Sequence, residues 1–285
     1  MQPYVGHNIS IGYGFSTTAD YANKLGANFY QIFLSNPQQY SNKRHSDLEL
    51  EELNIKLKTF NMKIVIHSSY LINFSAPIDS STHQKAVLEL CKDLNDSVKL
   101  GAIGVIIHMG RKTTLTEQEA TDNFVIGVKS VLAKTKDSTI IFETASGKGS
   151  EICHSMLKFR SLYMRFSEAE KARISFCIDT CHVFSAGYHL GDPDYVDVFC
   201  NLISDLLCWN KVACIHLNDS HNELNSKTDH HADITKGNIN QEGLKKFVQA
   251  CAKNNVPIVL ETPCKDLTKA GQIDLVKQWI SESEF

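Results

Sequence analysis

A chain of 285 residues has the length of two ordinary domains, yet α/β barrels of this size routinely form one. Its hydrophobic share of 42% and charged share of 21% suit a soluble globular protein with one large core. A formal net charge of −3 argues against indiscriminate coating of nucleic acid or of an anionic membrane, though acids counted there can be cation ligands.

The amino-terminal segment MQPYVGHNISIGYG lacks a basic stretch followed by an apolar run, so no signal peptide is expected. Nine cysteines, an odd number without CxxC spacing, fit reduced thiols in an intracellular compartment, in the cytoplasm or wherever the genome is kept. No apolar run approaches membrane length, so no membrane partner is expected.

Short apolar runs rich in β-branched residues recur along the chain. In order they are YVGHN near position 4, NFYQIFL from 28, MKIVIHS from 62, GVIIHMG from 104, TIIFET from 139, ISFCIDT from 174, VACIHLN from 212 and PIVLET from 257. Each has strand length and composition. Helical periodicity is expected near 17–25, 47–60, 117–134, 194–208, 241–254 and 269–282. It is clearest over Thr82–Leu100, where Val87, Leu90, Cys91, Leu94 and Val98 share a face and Gly101 follows as a cap. Eight strands alternating with helices predict a (β/α)8 TIM barrel, a single domain over 1–285.

Six of the runs end in a metal-binding residue: His67, His108, Glu143, Asp179, His216 and Glu261. His7 occupies the same place on the first strand, and is expected to support the ligands rather than to be one. Only the second strand lacks such a residue; it runs into the loop SNPQQY. A barrel gathers its carboxyl-terminal strand ends at one mouth. A single His or Glu at a strand end is more often an ordinary hydrogen-bonded polar residue, but six at corresponding places converge. Three carboxylates together repel one another, more so when buried, and divalent metal relieves this. Mixed nitrogen and oxygen ligation favours zinc, with manganese or iron compatible.

Side chains at i and i+2 share a strand face. Val65, Ile106, Ile141, Cys177, Cys214 and Val259 are therefore expected to point inward beneath the ligands as a dry layer, with the two thiols as packing residues. His182, three after Asp179, and the pair Asp229 and His231 in the loop KTDHHADITKGNIN extend the set to a third ion. A zinc finger on Cys177, Cys181 and His182 is disfavoured, because the spacing is CxxxC and no second pair follows.

HSSYLIN, CIDTCHVFSAGY, IHLNDS, the DHH loop with KGNIN and the closing LET resemble the endonuclease IV family of DNA-repair enzymes, in order and across essentially the whole chain. The resemblance implies a zinc-dependent phosphodiesterase that cuts duplex DNA 5′ to abasic sites, leaving a 3′-hydroxyl and a 5′-deoxyribose phosphate, and that clears blocked 3′ ends. It implies one zinc on His67, His108 and Glu143, and a second on Glu143, Asp179, His216 and Glu261, with Glu143 shared. A third would sit on His182, Asp229 and His231. Glu143 and Glu261 are the expected catalytic carboxylates, the first as the bridge and the second also orienting the nucleophile. Two metals about 3.5–4 Å apart suit in-line phosphodiester displacement. Tyr70 and Leu71 resemble the residues that enter the duplex at the lesion, and a monomer is expected.

Two positions depart from the family pattern. Gln38 and His230 stand where arginines commonly contact DNA. Lys43, Arg44, Arg111, Lys112, Lys148, Lys227 and Lys236 lie in expected mouth loops and could contact phosphate, although each is, by base rate, an ordinary surface charge. The leading alternative is a metal-dependent sugar isomerase or epimerase of the xylose-isomerase-like barrels, which does not require the His182, Asp229 and His231 group. An amidohydrolase would want HxH on the first strand, which reads GHN, and a catalytically silent DNA-damage binder would not need the full ligand set.

Overall fold

A computed structural model describes residues 3–39, 44–264 and 267–282. Eight parallel strands form the barrel wall: β1 (Val5–His7), β2 (Phe29–Phe33), β3 (Lys63–His67), β4 (Val105–Ile107), β5 (Ile140–Glu143), β6 (Ile174–Asp179), β7 (Val212–Leu217) and β10 (Ile258–Leu260). Between the last two lies an antiparallel hairpin, β8 (Asp219–Ser220) with β9 (His231–Ala232). The hydrogen-bonded order is β1-β10-β7-β6-β5-β4-β3-β2. An Asn8–Gln31 bridge then brings the two ends nearly to closure. Gly6 permits that seam, since a Cβ there would collide with the Phe29 carbonyl. The result is the expected TIM barrel.

Helices α1 (Thr17–Lys24), α2 (Asp47–Thr59), α3 (Ser81–Leu100), α4 (Glu117–Lys134), α5 (Met156–Tyr163), α6 (Glu168–Lys171), α7 (Thr180–Ala186), α8 (Pro193–Leu206), α9 (Gln241–Lys253) and α10 (Leu267–Ser281) connect the strands. Capping boxes at Ser46/Glu49 and Thr116/Glu119 satisfy the first amides of α2 and α4. Gly101 closes α3 with a left-handed φ of 68°. The buried stripe of α3 runs through Ala86, Leu90, Leu94 and Ser97, so Val98 falls at its edge and is exposed. The shorter α5, α6 and α7 lie outside the helical spans expected from periodicity.

The apolar interior has two parts. The larger fills the space between wall and helices. The smaller lies inside the wall and consists of Phe29, Val65, Ile106, Ile141, Cys177, Cys214 and Val259. This is the expected dry layer with one addition, Phe29 from β2, and both thiols pack within it. No helix among the described residues is long and apolar enough to cross a membrane.

Candidate metal centre

Strand geometry lifts the next inward residues above that layer. His67, Glu143 and Asp179 are the last residues of β3, β5 and β6, His216 is the penultimate residue of β7, and His108 and Glu261 each follow their strand by one. Asp179 also caps α7, accepting from the His182 amide at 2.9 Å, so one carboxylate ends a strand and sets His182 in the first helical turn. The β8–β9 hairpin delivers Asp229 and His231. It is braced by buried Asp219, whose carboxylate accepts from the amides of Ser220, Gly237 and Ile239, tying NDS to KGNIN.

The nine expected ligands come together in three groups. His67, His108 and Glu143 form one; Glu143, Asp179, His216 and Glu261 form another; His182, Asp229 and His231 form the third. Within each, the potential ligand atoms lie within 4.8 Å of one another. Glu143 belongs to two groups. Its Oε2 lies 3.2 Å from His67 Nε2 and 3.4 Å from His108 Nε2, while its Oε1 lies 2.9 Å from His216 Nδ1. Asp229 Oδ1 lies 3.3 Å from His182 Nε2 and 3.2 Å from His231 Nε2. A further overlapping group, Asp179 with Cys181 and His231, was not evident in the sequence.

The electrostatics call for positive charge. Burial alone would drive the His216 imidazole down, but Glu261 and Glu143 outweigh it and hold the group at about 10. His231 is held at about 9 in the same way, burial being overcome by Asp179 and Asp229. For Asp229 burial is outweighed by His182 and His231, and for Glu143 by His108 and His216; both carboxyls lie far below their ordinary range. His108 goes the other way, pushed down by burial. Without metal, protons on imidazole thus offset the carboxylates. The residues fit a divalent cation: His231 Nε2 is buried with no hydrogen-bond partner among the described residues, yet faces carboxylate oxygens of Asp229 and Asp179.

Supporting contacts fix the donors. His67 and His182 each donate Nδ1–H to a backbone carbonyl, of Ser68 at 2.8 Å and Thr144 at 2.7 Å, leaving Nε2 for the centre. Asn218 donates to Asp179 Oδ2 at 2.7 Å and accepts from the Glu261 amide at 3.1 Å. Gln31 joins His216 to Glu261. The second strand therefore does contribute at the mouth, through an amide rather than a ligand. The i, i+2 rule applied to Phe29 would have found it. His7 is buried behind the ligands, bonded to the Asn8 carbonyl and the Thr262 hydroxyl, and burial pushes it down to about 4.

A cavity of about 500 Å³ opens here, lined by His67, Tyr70, His108, Glu143, Asp229 and Glu261 among others. A larger one, about 950 Å³, lies at the opposite strand ends against Tyr4, Lys63 and Pro257, away from these groups. Tyr70 and Leu71 stand on the mouth's rim, 52% and 37% exposed. Their loop is fastened to the NPQQ loop, because Ser69 Oγ and the Tyr70 amide both donate to the Pro37 carbonyl. Gln38 is therefore an exposed neighbour of the pair. His230 is exposed and packs its ring 4.6 Å from that of His221.

The expected phosphate contacts divide. Arg44 is turned away into ion pairs with Asp93, Glu89 and Asp96 of α3, so it anchors its loop instead. Lys227 bonds the Ala186 carbonyl, and Lys148 lies 3.4 Å from the Asp229 carbonyl. Arg111 and Lys236 are exposed, Lys112 is partly buried, and Lys43 lies outside the described residues.

The family described as xylose isomerase-like TIM barrel matches residues 19–283. A relative from Acanthamoeba polyphaga mimivirus, provisionally named endonuclease 4, is 34% identical over 98% of this chain and 94% of its own length. A probable endonuclease 4 from Halothermothrix orenii is 32% identical over 91% of this chain and 93% of its own. The crystal structure of endonuclease IV from Thermus thermophilus superposes with a TM-score of 0.85 at 26% identity, covering 98% of this chain and all of that one.

Proposed function

We propose, from the premise that the chain belongs to the endonuclease IV family of xylose isomerase-like TIM barrels, that it is a zinc-dependent DNA-repair phosphodiesterase. Its substrates are duplex DNA cut 5′ to an abasic site, leaving a 3′-hydroxyl and a 5′-deoxyribose phosphate, and duplexes with blocked 3′ ends. The observation that carries the reading is the third group, His182 with Asp229 and His231, set beside the two groups that share Glu143. A sugar isomerase or epimerase on this fold would not require it.

His67, His108 and Glu143 would hold one zinc, Glu143, Asp179, His216 and Glu261 a second, and His182, Asp229 and His231 a third. Bound there, zinc supplies the Lewis acidity and positive charge that phosphodiester hydrolysis requires. The chain's own residues do the rest. Glu143 spans two groups with opposite oxygens and fixes their spacing. Glu261 keeps Oε2 turned to the ligand space, where it orients the nucleophile. Tyr70 and Leu71 act as an exposed wedge, which costs least to insert where a base is already missing. Gln38 and His230 meet the flanking DNA without a permanent charge.

The test is a duplex carrying one abasic site, incubated with the purified protein without added magnesium, before and after prolonged chelation. Incision on the 5′ side that chelation abolishes is expected. Undiminished cutting by fully demetallated protein would sink the zinc mechanism, and no cutting by zinc-loaded protein would sink the nuclease reading.

A further inference from the structure

We propose that Gln31 is a positioning residue that dictates which nitrogen of His216 and which oxygen of Glu261 face the cation, and so sets affinity at the group containing both. The proposal rests on the reading of that group as a metal site. Gln31 lies on β2, the one barrel strand without a His, Asp or Glu at the mouth. Its side chain is fully buried, with Nε2 2.6 Å from Glu261 Oε1 and Oε1 2.8 Å from His216 Nε2.

The chemistry of the partners decides the orientation. An ionised carboxylate only accepts hydrogen bonds, so Glu261 must meet the amide NH2. That turns the amide oxygen towards His216. The oxygen also only accepts, so His216 Nε2 must carry the hydrogen. A neutral imidazole protonated on Nε2 keeps its lone pair on Nδ1. Nδ1 is the atom that lies 2.9 Å from Glu143 Oε1 and 3.1 Å from Glu261 Oε2, inside the ligand space. Glu261 is constrained by the same amide: Oε1 is engaged, and Oε2 is left for the cation. One side chain thus orders two ligands from two other strands.

His67 and His182 provide the contrast. Both are held through Nδ1–H by backbone carbonyls and present Nε2. Their tautomers are written into the main chain, which no substitution removes. His216 presents the opposite nitrogen, and its partner is a replaceable side chain. Gln31 is itself rigidly placed. Its carbonyl accepts from the Ile9 amide at 2.8 Å across the closing seam, and Phe29 two residues earlier is anchored in the inner apolar layer. Partners of this kind, bonded to a ligand rather than to the metal, typically change metal affinity about 10–100-fold.

Gln31→Met tests the idea, since it keeps the length and removes both hydrogen bonds. Zinc-loaded parent and variant are titrated with a competing chelator, and the zinc retained is measured by elemental analysis. One ion should be lost at about 10–100-fold lower chelator strength in the variant, with the remainder held as in the parent. Nitrogen-15 NMR of the histidines in the zinc-loaded parent gives a second reading that needs no variant to fold. His216 should show its proton on Nε2 and a metal-ligated Nδ1. A folded Gln31→Met protein that holds every ion with parental affinity would overturn the proposal, as would a His216 protonated on Nδ1. Abasic-site cleavage by the parent is assayed alongside. Its absence with zinc bound would count against the nuclease reading alone, whereas a parent that binds no zinc would remove both.

Discussion

Glu143 Oε1 lies 2.9 Å from His216 Nδ1, while the other oxygen of the same carboxylate faces His67 and His108. One side chain therefore joins two ligand groups. Glu143→Gln keeps the shape and removes the shared negative charge, so both groups should weaken together. We expect zinc content to fall by more than one ion and abasic-site cleavage to drop by at least about 10³, the upper range for losing one well-placed electrostatic contact. Elemental analysis with single-turnover kinetics checks this. A variant with the parental zinc content would show that the two groups do not depend on a common carboxylate.

Zinc loading should release protons. In the metal-free chain His216 is held at about 10 and His231 at about 9 by neighbouring carboxylates, so both carry protons at neutral pH. A ligand must shed its proton to bind metal. The sign follows: because these values are raised, protons compete with zinc below them, and affinity should climb as pH rises towards about 9 to 10. Glu143 and Asp229 are shifted down and stay ionised, so they do not drive this dependence. Calorimetric titration in buffers of different ionisation enthalpy measures the release. Proton-neutral binding would contradict it.

Recognition is expected to depend on the rim. Replacing both Tyr70 and Leu71 with Ala should weaken binding to an abasic duplex without changing zinc content, since neither belongs to a ligand group. Gln38→Arg adds a cation on the loop tied to them through Pro37, and should tighten binding with a steeper salt dependence. Fluorescence anisotropy with lesion-bearing and intact duplexes separates the outcomes. Unchanged affinity in all these variants would place recognition elsewhere.

Arg44 should matter for stability rather than for DNA. Its guanidinium is 2.7 Å from Asp93, a buried carboxyl that burial pushes up to about 6 despite that partner. Arg44→Ala would strand this group, at a cost of about 3 kcal/mol near neutral pH. A raised carboxyl favours folding where it is protonated and loses that advantage as pH rises through its folded value. Without Arg44 the Asp93 carboxyl is raised further still. The penalty should therefore shrink as pH falls towards about 6 and level off below it, where Asp93 is protonated with or without its partner. Urea melts of parent and variant across that range provide the check, and a penalty that does not change with pH would refute this account.

The barrel was legible because its two periodicities are simple. Alternation along each strand marked Val65, Ile106, Ile141, Cys177, Cys214 and Val259 as the inner layer, and the topology brings every strand end to one mouth. What escaped was tertiary or very short. The α7 helix starts directly after the residue that ends β6, so CIDTCHVFSA carries no break between them. The strands of the β8–β9 hairpin have two residues each, too few to show a period. Gln31 carries no such signal, because an amide is not a zinc ligand, although its position is the one the alternation marks. The pairing of Arg44 is hidden in the sequence because its partners on α3 lie more than forty residues away in the chain.

The third group of ligating side chains, His182 with Asp229 and His231, is the feature on which the nuclease reading turns. Asp229 Oδ1 stands between His182 Nε2 and His231 Nε2, at 3.3 and 3.2 Å, and is the one carboxylate in that group. Asp229→Asn preserves size and removes the charge. Occupancy of this group should fall while the two groups built on Glu143 keep their ions, since Asp229 belongs to neither. The variant should still bind abasic DNA, because the rim residues are untouched. We propose that an ion held by this group would neutralise charge at the departing 3′ oxygen, so cleavage should slow by about 10²–10³. Zinc analysis of both proteins beside single-turnover kinetics decides the matter. Three ions falling to two, with slowed cleavage and retained binding, supports the assignment. Two ions in the parent, or a variant cutting at full rate, would make the Asp229 loop an ordinary surface segment and return the sugar-isomerase reading to contention.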